Sequence, residues 1–599
     1  MPFFPTLQKP ASTREVTDVF AGYNHNRRIQ DGEFYETKNL STREFPLLAN
    51  RQRRGTLSAI GNTSLNFTKL QAIIAKDALY WVDNGTLYAN GLATGLTGLQ
   101  TSKETQLVSM GAYICVFPDG KYINTMALSD YGSMGASWTY NSGPVSYSMC
   151  HQDGTIYTDV IKGTTEPERH NANTVWIDMT GNEVKVWSEY EGTWIVLETV
   201  YTRLDFNTQG QVPSAFKEYD GVQIAGAHYD DLNGSKIIYA LGGRAPEGQE
   251  DPGENDWIVV IGIQDEPHTE VSQTITIERK IPPMDFVCEC QNRLWGCFYG
   301  NDGTQNINEI YCCALGDFRN WEQYLGVSTD SWRASRGSDG PFTGCINYLG
   351  APTFFKENVI HTVSVSPVGA HQISDLPARG VQQGSHKSLA VVNETLYYKA
   401  RSGVVAYQGG MPADVSPQLG GERYYNAVAG VYGQRYYISM KDAGNTWQFF
   451  CFDVQRGLWI HEDGLHVECF AQVDDELYAQ SNNSILALNG TVGTLEQHPE
   501  WIAETGIQYY SYPDKKYVSH FVVRLYMEPE TDIQFFIEYD SNGVWVYSGR
   551  IPRDSRRRTG TITVPVRPRR CDHLRMRIEG KGEARFFSIA RVLEIGSDV

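Results

Sequence analysis

The sequence predicts an all-β protein: a β-propeller that carries an inserted β-sandwich and ends in a second, jelly-roll-like β-sandwich. Three observations predict it. Between residues 292 and 416 the phrases NRLWGC, GDFRNWEQYLGVSTDSW, FFKENVIHTVSV and LYYKARSGVVAYQGGMPADVS follow one another. Each is a short apolar or aromatic run closed by Gly, Asn or Asp, recurring every few tens of residues without a repeated wording, as propeller blades do. The 57 Gly and 35 Tyr suit tight turns and half-buried strands. No stretch shows a long helical period.

Residues 1–55 show no strand alternation, contain Pro2, Pro5, Pro10 and Pro46, and end in the cluster Arg51, Arg53 and Arg54. They read as an extended arm that packs on a neighbour or on the rim of the disc, with a frayed terminus as the plainer reading. Residues 56–149 open the propeller. Two alternating runs turn at Asn84-Gly85 and at Asp119-Gly120, both hairpin signals. Residues 150–280 change character, with longer strands and a polar, Gly/Pro-rich loop at 242–255. They read as a β-sandwich inserted through an exposed blade loop. Blade grammar returns over 281–495. There Phe449 and Cys451 share a face of one hairpin, with Trp459 expected beside them. The count of blades reads as six or seven. Residues 496–599 form the terminal sandwich, with a turn at Asn542-Gly543.

The net charge of −19 argues against general affinity for nucleic acid or anionic membranes. No basic-then-apolar leader opens the sequence and no run of about 18 apolar residues occurs, so neither a signal peptide nor a membrane span is expected. The 11 cysteines are scattered, with Cys288, Cys290 and Cys297 in one phrase and Cys312-Cys313 adjacent. They lack the paired spacing of a metal site and read as buried thiols of a chain made in a reducing cytoplasm.

The terminal domain reverses the charge. From 550 to 591 there are 12 Arg and Lys581 against Asp554, Asp572, Glu579 and Glu583. Contact with a partner protein, a solvated strand face and phosphate binding are the three readings; the acidic remainder of the chain favours the first. The expected interface residues are Arg51, Arg53, Arg54, Arg556, Arg557, Arg558, Arg569 and Arg570. Arg575 and Arg577 should share one strand face, with Leu574, Met576 and Ile578 on the other.

Catalytic patterns are missing. No GxSxG, HExxH or Walker loop is present. A sialidase-like propeller repeats a Ser-x-Asp-x-Gly-x-x-x-Trp turn, which STDSWRASRGSDG does not fit. Asp230-Asp231 and Asp474-Asp475 read as solvated loops, the 13 His show no ligand spacing, and His361 reads as structural. The expectation is therefore no enzymatic activity, with no catalytic, metal or cofactor residue. Trp187, Trp194 and Trp545 are candidates for stacking on host sugars, with core packing as the rival reading.

At GDFRNW (316–321), STDSW, FFKENVIH and GVVAYQGGMPADVS, and earlier at NLSTREFPLLANRQRRG (39–55), the chain resembles virion propeller proteins of tailed bacteriophages. These form the tail hub or nozzle and stabilise packaged DNA beneath the portal. The resemblance covers about residues 15–490. It implies a structural ring, a hexamer by analogy, built from copies of the chain. Portal or adaptor, other tail proteins and tail fibres would be its neighbours, and DNA would pass through the lumen without specific binding. It implies synthesis in the bacterial cytoplasm, residence in the virion tail, no membrane contact and no cofactor. The alternatives are a glycan-binding receptor-recognition protein of the tail and a sialidase-like propeller glycosidase.

Overall fold

The computed structural model describes residues 12–595 apart from 62, 142, 244–253, 263–265, 366–369 and 511–514. Most of the loop expected at 242–255 lies outside the described residues. The chain is 54% strand and 2% helix. Among the described residues the one α-helix is Gln211–Ala215, and no helix is long and apolar enough to cross a membrane.

Seven blades of four strands form the propeller, the seventh extended by the short strand Thr494–Leu495. Their innermost strands are Leu70–Ala75, Gln106–Met110, Phe286–Cys290, Gly344–Tyr348, Ala390–Val392, Tyr424–Tyr432 and Cys469–Val473. The last lies against the first, so the ring closes. Each blade buries its alternate side chains against the next. Phe355 and Ile360 of blade four, for example, pack on Leu396 and Tyr398 of blade five. Tight hairpins drive the pattern. Asn84 and Gly85 both take positive φ (47° and 73°), the conformation a two-residue hairpin needs, and they place Asp83 opposite Thr86.

Blade seven is completed from the other end of the chain. Gly55–Thr56 pairs with Ser484–Ala487 as its fourth strand. A Cβ on Gly55 would lie 1.9 Å from the Val492 carbonyl oxygen, so only glycine fits this seam. In blade six, Trp459 sits opposite Phe452 and stacks on it at 4.8 Å. It therefore packs with Phe450 and Phe452, whereas Phe449 and Cys451 face blade seven; this corrects the expected pairing.

The insertion leaves blade two after Ser133 and returns at Phe286, its strands running from Ala136–Tyr140 to Ile275–Arg279. It starts some residues earlier than the change in sequence character at 150, because 136–150 alternates like a blade strand pair. Two sheets enclose Tyr140, Tyr147, Leu204, Phe206, Ile258 and Ile277. A third sheet, Asp159–Gly163 through Thr193–Val196, stands outside them and packs its Val175, Ile177 and Val184 on Met149. The GDFRNW turn of blade three holds the insertion in place. Asn320 donates to the Tyr219 carbonyl (2.8 Å) and accepts from the Gly221 N–H (3.1 Å).

The expected N-terminal arm is corrected. Residues 12–50 are built into the terminal sandwich. Ser12–Thr17 and Leu48–Asn50 pair with Ala584–Ile595 in one sheet, and Glu33–Lys38 pairs with Glu500–Thr505 in the other. These strands are two to six residues long. That is too short to show a period, and their partners lie at the far end of the chain. From Glu500 to Ile595 most successive strands alternate between the two sheets, a jelly-roll-like order. Gly22–Tyr23 joins Leu458–Asp463 of blade six to Glu33–Lys38, so one ten-stranded sheet runs from propeller into sandwich. Nine of the 11 cysteines are buried and all are free.

Candidate functional site

The arginines expected at an interface divide into two groups. Arg51 and Arg54 are each only 6% exposed. Arg54 meets Asp463 at 2.6 Å and Glu462 at 2.9 Å, while Arg51 meets Glu496 at 2.5 Å and donates to Asn39 at 2.7 Å. These ions lock the closing strand to blades six and seven, so Arg51 and Arg54 do not form a partner surface. Arg53, between them, is half-buried. The correction has a physical basis: a guanidinium taken from water needs carboxylate partners, and the acidic body supplies them.

The arginines of the terminal domain also divide. Arg591 is 2% exposed and binds Asp31 and Thr17. Arg575 and Arg577 share a face as expected, pair with Glu504 and flank Trp545. Arg556 and Arg557 are exposed on the turn before the strand Arg558–Pro565, and Arg558 is half-buried at its start. Arg557 reaches Glu528 at 2.9 Å with most of its side chain in solvent. Arg569 and Arg570 are exposed beyond the other end of that strand. Eight residues of strand separate the two clusters by roughly 25 Å. The expected interface arginines of this domain therefore form two basic turns at opposite ends of one strand.

Trp187 and Trp194 are cross-strand neighbours in the outlying sheet, 5.6 Å apart and edge-on, with His170 at 3.6 Å from Trp187. Both are half-buried, and their rings are occupied by one another.

A cleft of about 800 Å³ opens between blades two and three, where the insertion leaves and returns. Glu104, Asp119, Asp285, Tyr299, Ile281 and His386 are among its walls. Glu104 receives hydrogen bonds from His386 (3.0 Å) and Lys387 (2.8 Å), which come from the start of blade five. Burial works against its ionisation, but those two partners hold its carboxyl down at about 2. Burial pushes Asp285 the other way, above the usual carboxylate range, against one hydrogen bond from the Tyr299 N–H at 2.9 Å. Two carboxyls driven apart in one cleft are the arrangement that separates an acid from a base. Sequence reading missed them because they stand 181 positions apart with no motif around either.

His361 of blade four is fully buried. Its Nδ1 lies 2.7 Å from Asp375 and its Nε2 lies 3.0 Å from the Ser338 hydroxyl. The connectivity is that of a nucleophile, base and orienting acid. Ser338 does not line the cleft, however, and its carbonyl accepts from Lys356 at 2.8 Å, so the relay fastens the loop between blades three and four. Burial depresses the His361 pKa despite Asp375, with Lys356 and Arg336 adding to the shift; His371 and His466 shift the same way. Unfolded imidazoles take up a proton near 6.5, before the folded ones do. The stabilisation is therefore complete above about pH 6.5 and is lost as pH falls toward the depressed folded values. The thermal midpoint is expected to drop between pH 7.5 and 5.5, and to drop less in His361→Gln. Equal slopes for the two proteins would count against this.

No protein-family model matches the sequence, and no curated protein matches it. Among solved structures the chain is similar to a glycoside hydrolase family 43 arabinoxylan arabinofuranohydrolase from Bacillus subtilis. There the identity is 9%, the match covers 78% of this chain and 95% of that one, and the TM-score is 0.14. It is also similar to Trypanosoma rangeli sialidase in two complexes, at 7% and 9% identity. Each match covers 98% of this chain and 96% of that one, with a TM-score of 0.19. These neighbours are enzymes, which corrects the expectation of no enzymatic activity: the missing sequence motifs do not exclude catalysis. Likenesses this slight transfer no substrate and no residue role.

Proposed function

We propose that the chain is a structural part of a tailed-bacteriophage virion, forming a ring of the tail at the hub, nozzle or head–tail connector, through which DNA passes. The observation that carries this reading is the division of charge over one continuous scaffold. The chain carries a net charge of −19 although residues 550–591 are basic, and its acidic body is joined through a ten-stranded sheet to a sandwich whose exposed turns carry Arg556, Arg557, Arg569 and Arg570. A closed ring requires each copy to present two complementary surfaces in a fixed relation. The shared sheet fixes that relation, and opposite charge supplies the complementarity. An acidic lumen would lower affinity for passing phosphate. Portal or adaptor and other tail proteins would dock on the same scaffold. The phrase resemblance at 316–321 supports the reading, and the Asn320 contacts give that turn a structural task. Mass photometry of the purified chain is expected to show a multimer at low salt that dissociates at high salt; a monomer at every salt concentration would count against it.

A second reading, glycoside hydrolysis, is favoured by one observation: the oppositely shifted Glu104 and Asp285 in one cleft. Asp285 would hold the proton for a leaving oxygen and Glu104 would stay ionised. On that reading a panel of aryl glycosides and sialosides gives turnover. Asp285→Asn then lowers it by about 10²-fold or more, the usual weight of a general acid. Turnover unchanged in Asp285→Asn, or none with the wild type, removes the reading.

A further inference from the structure

The 13 histidines show no ligand spacing along the sequence, and no metal residue is expected from it; folding changes that. His268 and Glu270 are alternate residues of the strand His268–Glu270 and so share one face. The strand is an edge, paired on one side with Val145–Cys150. His228 arrives from the turn after Gly221–Ala225. Its backbone N–H donates to the Tyr147 hydroxyl at 3.2 Å, and the neighbouring Ala227 is held by Asn233 through bonds of 2.8 and 3.0 Å. The three side chains converge on one point. Glu270 Oε1 lies 2.7 Å from His228 Nδ1 and 2.9 Å from His268 Nε2. All three donor atoms lie within 4.8 Å of one another, and the two imidazoles stack at 4.5 Å.

We propose that His228, His268 and Glu270 form a binding site for a divalent transition cation, Zn²⁺ or a close relative, on the edge of the inserted sandwich. Two imidazole nitrogens and one carboxylate oxygen are a ligand set that Zn²⁺ and its first-row neighbours take, at about 2.0–2.2 Å per bond. Donors now 2.7 and 2.9 Å apart need to separate only slightly to admit an ion. The side chains are 41%, 38% and 33% exposed, so water or a group from a neighbouring molecule can complete the coordination. Tyr229 walls the site, edge-on to both rings at 4.8 and 6.2 Å.

The carboxylate is ready for the ion. The hydrogen bond from His268 and the nearby His228 hold Glu270 below the usual range, so it is ionised at neutral pH. Binding requires the ring nitrogen that faces Glu270 on each histidine to present its lone pair to the metal, with the ring proton on the other nitrogen.

The test uses the full chain without a histidine tag, treated with EDTA and titrated with Co²⁺ and Zn²⁺ alone. Wild type is expected to bind one Co²⁺ with visible absorption bands of low coordination number, displaced by Zn²⁺. His268→Ala/Glu270→Ala should weaken binding at least about tenfold, since even outer-shell changes cost that much. His170→Ala, a histidine outside the cluster, should leave binding unchanged. Thermal midpoints in EDTA show whether the variants fold. If the double variant loses its fold, protection of His228 from diethyl pyrocarbonate by Zn²⁺ in wild type decides. No stoichiometric binding to wild type, equal binding by the folded double variant, or no protection overturns the site.

Discussion

A chain lacking residues 1–57 is expected not to fold to a stable protein. The deletion removes the strands that Ser12–Thr17, Glu33–Lys38 and Leu48–Asn50 add to the terminal sandwich, and the fourth strand of blade seven. It removes the buried side chains of Phe20, Tyr23, Phe34, Leu40 and Leu48, each worth about 1.5–3 kcal/mol. It also leaves Glu462, Asp463 and Glu496 without Arg51 and Arg54. An uncompensated buried charge costs about 3–5 kcal/mol. The sum is as large as the ~5–15 kcal/mol by which a domain is stable. The narrower variant Arg54→Met leaves Glu462 unpaired at 8% side-chain exposure and should cost about 3–5 kcal/mol by itself. Soluble yield and thermal unfolding followed by circular dichroism check both. A truncated chain that unfolds cooperatively at the wild-type midpoint would show that the two ends are not one structure.

Reversing the four exposed arginines, Arg556, Arg557, Arg569 and Arg570, to Glu should abolish self-assembly and leave the fold intact. None of the four is buried, and surface changes of this kind move stability by only about ±0.5 kcal/mol. Like charges brought together at an interface, by contrast, cost several kcal/mol, and each ~1.4 kcal/mol is a factor of ten in affinity. Because the two turns lie at opposite ends of a strand, reversing one pair should weaken assembly less than reversing both. Contacts between exposed charges are screened beyond about 8 Å at physiological ionic strength, so salt should imitate the substitutions. Mass photometry of the wild type and the three variants across a salt series measures this. A multimer unaffected by all of them would place the interface elsewhere.

Most of the propeller was legible because its signals are local. A hairpin such as Asn84-Gly85 needs only adjacent residues, and in the terminal sandwich an alternating burial such as that of Leu574–Lys581 needs only one strand. What was not legible depends on partners far apart in sequence. Arg51 and Arg54 look like a surface cluster until Glu462, Asp463 and Glu496 are brought to them. The arm at 12–50 looks structureless because its short strands borrow their order from 500–595. Glu104 and Asp285 acquire opposite shifts from His386, Lys387 and burial, none of which is adjacent to them in the chain. His268 and Glu270 carried a weak local signal, two ligand types at strand spacing, but the third ligand, His228, lies 40 positions away.

The central claim is that copies of this chain close into a ring within a virion tail. Electron-microscope images of the purified chain at low salt, with peptide mapping of purified phage particles, test it most directly. The account predicts closed rings with rotational symmetry and peptides of this chain in the particles. A chain that is monomeric in every image and absent from particles would contradict it.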